Sequence, residues 1–142
     1  MRSTALPTNG RNRADEPDIK GLLKSTSGVW QEWWRNTAVA IALESAGSLA
    51  LVALRKDKIV GFACFHDVDF RAYLSEMVVA ESEQGGGIVS KLLKKAEELL
   101  SDKGCLLIVA DAYPPAEGFY RSREWGRPTS VLISKVVEKE TG

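Results

Sequence analysis

The apolar residues of this chain follow two different spacings along its length. In Gly87–Lys103 they recur every three or four residues, with lysines and glutamates between them, which predicts an amphipathic helix. Shorter apolar runs occupy Leu49–Leu54, Ile59–His66 and Ala72–Ala80 and predict three strands. The polar turn Lys56-Asp57-Lys58 joins the first two strands, so the three are expected to form an antiparallel meander.

Weaker patterns predict the remaining elements. Three helices are predicted: a short one after Asp18, a longer one over Val29–Ser45 that carries three tryptophans, and a short one over Pro114–Tyr120. Two strands are predicted: an apolar strand over Cys105–Ala112 that is buried on both faces, and a last strand over Ser130–Val137. A short first strand is expected near Arg11–Ala14. The order predicts an α+β fold, an α/β sandwich in which helices flank a mixed, mostly antiparallel central sheet. We expect a flexible arm over residues 1–10 and one domain over residues 11–142.

Composition narrows the class of function. The formal net charge is zero, which argues against a general nucleic-acid binder, and the apolar runs are too short to span a membrane. Cys64 and Cys105 have apolar neighbours, as expected of reduced thiols in a cytoplasmic protein. One histidine and the absence of a Cys-x-x-Cys pair predict that the chain holds no metal.

A glycine-rich loop precedes the amphipathic helix, in the segment Gln84-Gly85-Gly86-Gly87-Ile88-Val89. Glycines let the backbone approach a ligand closely, and the N-terminus of a helix favours an anion, so the segment is a candidate pyrophosphate cradle. A flexible connection is the alternative. A P-loop is excluded because Gly87 is not followed by Lys-Ser or Lys-Thr, whereas a dinucleotide site stays open since Asp111 lies near the expected acidic position.

Two motifs in register resemble the GNAT superfamily of N-acetyltransferases. The segment 84–89 is similar to the superfamily's acyl-CoA signature Arg/Gln-x-x-Gly-x-Gly/Ala, with Val89 in the last position. Residues 116–125, Ala-Glu-Gly-Phe-Tyr-Arg-Ser-Arg-Glu-Trp, are similar to its fourth-helix motif, with Glu124 where a glycine is usual. The resemblance covers roughly residues 11–137 and implies a single-step transfer of an acetyl group from acetyl-CoA to a primary amine.

The resemblance also implies roles for individual residues. Acetyl-CoA is expected to contact the strand before the loop, the loop, the first helical turn and the fourth-helix region, namely Met77, Val78, Val79, Gln84, Gly85, Gly86, Gly87, Ile88, Val89, Ser90, Tyr113 and Tyr120. Tyr120 is the expected general acid, because the phenol is protonated at neutral pH. Glu76 is the first candidate for the general base, and Asp111 and His66 are the alternatives.

The acceptor is less constrained by the sequence. Acidic residues cluster around the third strand, at Asp67, Asp69, Glu76, Glu81 and Glu83, and predict a cationic amine. Trp33 and Trp34 cannot both face inward on one helix, so one is expected to line the acceptor pocket or a homodimer interface. An acyl-CoA-binding sensor domain without turnover is the alternative to an enzyme.

Overall fold

The computed structural model describes the backbone of residues 4–8, 15–111 and 114–137, and the side chains of residues 15–111 and 118–137. The chain forms two compact units, Met1–Ala110 and Asp111–Gly142. Tyr113 and the first strand expected near Arg11–Ala14 lie outside the described residues.

The first unit contains a mixed sheet of five strands in the order β1-β2-β3-β4-β5. The strands are β1 (Thr4–Thr8), β2 (Ala50–Arg55), β3 (Lys58–Asp67), β4 (Ala72–Val79) and β5 (Ile108–Ala110). Neighbours pair antiparallel from β1 to β4, and β5 runs parallel to β4. The mixed, mostly antiparallel sheet predicted from the sequence is therefore confirmed. Because β1 pairs with β2, residues 4–8 belong to the sheet and not to the loose arm expected for residues 1–10.

Helices cover both faces of this sheet. The helices of the first unit are α1 (Glu16–Ser25), α2 (Ala38–Ala46) and α3 (Ile88–Asp102). Ile19, Leu43 and Phe62 are among the buried residues that join α1 and α2 to one face. Phe62 and Gly61 are neighbours in β3 and so point to opposite faces. Gly61 meets Ile88 and Leu92 of α3, which places α3 on the other face.

The predicted tryptophan helix over Val29–Ser45 is only half correct. Its second half is α2, whereas residues 26–37 form a series of turns. Isolated hydrogen bonds from Trp34 N–H to Gln31 C=O and from Ala38 N–H to Arg35 C=O, each 3.0 Å long, mark these turns. Gly28 has a φ of 79°, and aromatic, Asn and Thr residues are weaker helix formers than Ala or Leu. The indole rings pack edge to face instead, with centroids 5.3 Å apart for Trp30 and Trp34.

The C-terminal strands also differ from prediction. The strand expected over Cys105–Ala112 is reduced to the three residues of β5, which are half-buried because β5 lies at the sheet edge and pairs with β4 over that length only. The second unit contains helix α4 (Pro114–Arg121), as predicted. The strand predicted over Ser130–Val137 is wrong, since residues 131–137 have no regular secondary structure. A strand needs a partner edge for its backbone groups, and the described part of the second unit contains none.

The close approach of α3 to the sheet at Gly61 gives a stability prediction. A Cβ at Gly61 would lie 2.9 Å from Ile88 Cγ2 and 3.2 Å from Ala53 Cβ. We expect Gly61→Ala to lower the free energy of unfolding by about 1–3 kcal/mol, because overpacking a filled interface forces its neighbours apart. Urea denaturation measures the change.

Gly21→Ala is the matched control. Gly21 lies in α1, and nothing lies within 4 Å of a Cβ built there. The substitution should raise stability by about 0.5–1 kcal/mol, because alanine favours a helix interior. A Gly61→Ala protein as stable as the wild type would show that α3 does not pack tightly on β3.

Candidate active site

A pocket of about 420 Å³ opens between the first two helices and the sheet. It is entirely within the first unit. The described residues that line it are Leu23 of α1, Trp33, Trp34 and Arg35 of the turns, Ala38, Val39, Ile41, Ala42 and Ser45 of α2, Phe62 and His66 of β3, and Ser75 and Glu76 of β4. The α2 residues follow a spacing of three and four, so a single face of the helix forms one wall. Most of the lining is apolar, and the polar groups from β3, β4 and the last turn of α2 gather together.

A break in strand register brings the polar residues of β4 to this pocket. Cys64 of β3 pairs with Glu76, but Phe65 pairs with Leu74, so Ser75 is an extra residue without a partner on β3. Such a β-bulge changes the direction of the side chains around it. Here Ser75 and Glu76 both line the pocket, although side chains of neighbouring residues in a regular strand point to opposite faces.

His66 connects the bulge to α2 by hydrogen bonds. Its Nε2 lies 2.7 Å from Ser75 Oγ, and its Nδ1 lies 2.9 Å from Ser45 Oγ. Ser75 Oγ donates to the carbonyl oxygen of Cys64 at 3.3 Å. Because that hydroxyl proton is engaged, Ser75 Oγ accepts from Nε2–H, and in the neutral ring Nδ1 accepts from the hydroxyl of Ser45. The arrangement therefore calls for a proton on Nε2.

Burial shifts the acid–base chemistry of two groups at this site. Partial burial lowers the pKa of His66, which favours the neutral ring. Burial raises the pKa of the Cys64 thiol to about 12, with the nearby Glu76 carboxylate acting in the same direction. Cys64 is therefore protonated at neutral pH and is not a nucleophile.

Beyond Leu74, none of the described strands pairs with the edge of β4 that faces away from β3. Strand β5 pairs only with Ala72, Tyr73 and Leu74. Ala80 N–H donates to Val60 C=O at 2.9 Å, so the alternation of an antiparallel ladder directs the backbone groups of Met77 and Val79 to the opposite edge. No described strand pairs with that stretch. Val78, which was expected to share this role, has its backbone groups directed to β3.

The glycine loop follows this edge and leads into α3. Gly85 and Gly87 both have a φ of 84°, which disfavours a side chain, whereas Gly86 is not among the glycines with positive φ. All three glycines are exposed, and Gly87 is the N-cap residue of α3. Gln84 Nε2 donates to the carbonyl oxygen of Val79 at 3.2 Å and so joins the loop to the end of β4. Ile88 is buried, while Val89 and Ser90 are half-buried in the first turn.

The acidic residues around β4 do not act as one cluster. Only Glu76 lines the pocket. Glu83 forms a two-point ion pair with Arg55, with Nε to Oε2 at 2.6 Å, and Glu81 accepts from Ser27 N–H at 3.1 Å. Asp67 accepts from Asp69 N–H at 2.8 Å within the β3–β4 turn. These acids lie at opposite ends of β4, and most of them form local hydrogen bonds or an ion pair. They therefore do not form the single acidic surface that was expected.

The other predicted catalytic residues belong to the second unit. Tyr120 lies on α4, and its ring packs edge to face against Trp125 at 5.0 Å between centroids. Trp125 N–H donates to Tyr120 C=O at 3.2 Å, so the motif closes into a compact turn after the helix. Asp111 is exposed.

Sequence patterns gave no signal for Ser45, Ser75 or Arg35 as site residues. Ser75 lies in a bulge whose position depends on pairing with β3, and Ser45 and Arg35 reach the pocket through the packing of α2 and the preceding turns on the sheet. His66 was identified by its residue type alone. Among the described residues, no three His, Cys, Asp or Glu side chains are grouped to hold a metal ion. None of the described helices has the length and apolar character needed to cross a membrane.

Comparisons with known proteins agree with this geometry. A family model described as "Acetyltransferase (GNAT) family" matches residues 13–125. The chain has no significant sequence match among curated proteins.

Solved structures match over nearly the whole chain. An aminoglycoside acetyltransferase, HMB0005, from an uncultured soil metagenomic sample superposes with a TM-score of 0.73 at 21% identity, covering 97% of this chain and 100% of that one. A ribosomal-protein-alanine N-acetyltransferase from Brucella melitensis biovar Abortus 2308 gives 0.68 at 14% identity, with coverages of 99% and 100%. AAC(6')-Iy in complex with the bisubstrate analog CoA-S-monomethyl-acetylneamine gives 0.75 at 14% identity, with coverages of 96% and 99%. At these identities the likeness shows a shared fold.

The environment of His66 predicts its titration. Since it is the only histidine of the chain, its ring resonances in an NMR titration report on it without ambiguity. We expect a pKa below the ordinary value of about 6.5, because burial disfavours the imidazolium ion. A pKa at or above 6.5 would contradict the neutral ring described above.

The same shift predicts the sign of a stability change. The unfolded chain binds the proton more readily than the folded chain does, so the free energy of unfolding should fall as pH is lowered through about 6.5. The His66→Gln variant, which has no imidazole, should show a flatter dependence between pH 7 and pH 5.

Proposed function

Because the chain belongs to the acetyltransferase (GNAT) family, it is an acyltransferase whose acyl donor is acetyl-CoA, and we propose that the acceptor is a primary amine bound in the pocket beside Glu76. One observation carries the proposal. The bulge at Ser75 places the carboxylate-bearing residue Glu76 in a largely apolar pocket at the point where β4 loses its β5 partner. A carboxylate at such a junction is suited to receive an ammonium ion next to an extended ligand on the strand edge.

The residues of this chain fit acetyl-CoA along β4 and the glycine loop. The backbone groups of Met77 and Val79 at the open edge are suited to the amides of the pantetheine arm, as an added strand would be. Gly85, Gly86 and Gly87 expose backbone at the N-terminus of α3, where the helix dipole favours the pyrophosphate. Val89 in the first turn supplies a larger side chain than the glycine or alanine of the family signature.

The side chains of the pocket would bind the acceptor as an ammonium ion and remove its proton before it attacks. Acetyl-CoA supplies a thioester whose carbonyl carbon the neutral amine attacks, with release of a thiol. Glu76 is proposed to hold the ammonium ion and to accept its proton, since both ring nitrogens of His66 are engaged by serine hydroxyls. Tyr120 is proposed to donate its hydroxyl proton to the leaving sulfur, on the resemblance of its motif. With its pKa raised to about 12, Cys64 takes no covalent part.

The role of Glu76 predicts a loss of activity on Glu76→Gln. Glutamine keeps the size of the side chain but accepts no proton at neutral pH, so kcat/KM for acetyl transfer should fall roughly 100- to 10,000-fold. The affinity for acetyl-CoA, measured by calorimetry, should change little. Glu98→Gln on the exposed face of α3 is the matched control and should behave as the wild type. Normal turnover in the Glu76→Gln enzyme would assign the base to another group.

The role of Tyr120 is tested separately by Tyr120→Phe. The substitution removes only the hydroxyl and leaves the ring that packs against Trp125. We expect kcat to fall roughly 10- to 1,000-fold with little change in acetyl-CoA affinity. An unchanged kcat would mean that water protonates the thiolate.

A further inference from the structure

The pocket has a polar end and an apolar end, aligned with α2. Ser45 in the last turn of the helix lies with His66, Ser75 and Glu76 at the polar end. Ala38, in the first turn, is seven residues earlier and about 10 Å away along the helix axis. Arg35 precedes that first turn and is also part of the lining. A ligand with its ammonium group at Glu76 would therefore extend along an apolar wall towards Arg35.

The charges of the pocket favour a single cationic group. Glu76 is the only carboxylate among the described residues that line it, and Arg35 is the only guanidinium. Glu81 and Glu83, the nearest acids in sequence, are engaged by Ser27 and Arg55. A second ammonium group at the far end of the ligand would meet a positive charge instead of an acid, at a cost in binding free energy.

The tryptophans of the turns are not equivalent, since Trp33 and Trp34 line the pocket and Trp30 does not. Trp30 is flanked by cations, with Lys24 Nζ 5.0 Å and Lys20 Nζ 5.7 Å from its ring centroid. Trp33 lines the pocket and is 80% exposed, although a large aromatic side chain is costly to leave in water. It is held edge to face against Trp34, with centroids 6.3 Å apart. Trp33 therefore offers an ordered apolar surface to a ligand.

We propose that the acceptor is a monocationic primary amine with an elongated apolar body, an alkyl- or arylalkylamine whose far end is neutral or anionic. This inference rests on the proposed function and narrows its substrate class. Polyamines and aminoglycosides carry further ammonium groups, which the far end of the pocket disfavours, and aminoglycosides also lack an apolar body. The ammonium group binds Glu76, the apolar body lies along α2, and Trp33 covers it.

A matched pair of amines tests the proposal in the wild-type enzyme. n-Octylamine and 1,8-diaminooctane have the same length and differ by one ammonium group. Thiol release should give a kcat/KM about tenfold higher for n-octylamine, with most of the difference in KM. Tobramycin should be a poorer acceptor than either. A preference for the diamine or for tobramycin would overturn the proposal and leave the amine acetyltransferase activity intact.

Charge reversal at Arg35 provides the second arm. Arg35→Glu supplies an acid at the far end and should lower the KM for 1,8-diaminooctane enough to remove or invert the preference for n-octylamine. Lys58→Glu, an exposed charge reversal in the β2–β3 hairpin, is the control and should leave the preference unchanged. If Arg35→Glu also leaves it unchanged, Arg35 does not determine specificity and the proposal fails.

A third variant separates this inference from the proposed function. Trp33→Ala should raise the KM for n-octylamine and for 4-phenylbutylamine severalfold while leaving kcat and acetyl-CoA affinity unchanged. Equal KM values in wild type and variant would refute a role for Trp33. If no amine of any class releases thiol although acetyl-CoA binds, the proposed function itself fails, and this inference fails with it.

Discussion

The hydrogen bond between His66 Nε2 and Ser75 Oγ, 2.7 Å long, stabilises the register break between β3 and β4 that brings Ser75 and Glu76 to the same pocket. Without the extra residue in β4, Glu76 and Ser75 would point to opposite faces, and only one of them would reach the pocket. The hydroxyl of Ser75 also donates to the carbonyl of Cys64, so the partner strand holds the bulge from two directions. The proton on His66 Nε2 is part of this arrangement, which links the tautomer of one ring to the position of the proposed base.

The two proposed binding regions depend on different faces of the sheet, with the glycine loop before α3 on one face and the pocket beside α2 on the other. On one face, α3 packs so closely on Gly61 that a side chain there would clash, and its N-terminus is thereby fixed beside the end of β4. On the other face, α1 and α2 pack on the sheet around a buried core, and a pocket opens beside that core next to the tryptophan turns. Strand β4 belongs to both arrangements, because its open edge leads to the glycine loop and its bulge supplies the polar end of the pocket. Donor and acceptor would thus meet along one strand.

Local patterns predicted the parts of the fold that depend on local physics. The amphipathic period of α3 and the β2–β3 hairpin turn were identified correctly from the sequence, and the two motifs at residues 84–89 and 116–125 indicated the family. The bulge was not predicted in position, since Ser75 is extra only relative to the partner strand. The tryptophan spacing predicted a helix, but the packing of the rings on one another favours turns. The apolar run at residues 131–137 fits a strand by period and yet has no strand, because a ladder also needs a partner.

The central claim is that acetyl-CoA on the edge of β4 and an amine in the pocket between α1, α2 and the sheet meet beside Glu76. A bisubstrate conjugate, with the sulfur of CoA joined through an acetyl linker to the nitrogen of n-octylamine, tests it directly by calorimetry. If both halves bind at once, the conjugate should bind about 100-fold or more tightly than CoA alone, since the second contact becomes intramolecular. A conjugate that binds no more tightly than CoA would show that the pocket and the glycine loop do not form one active site.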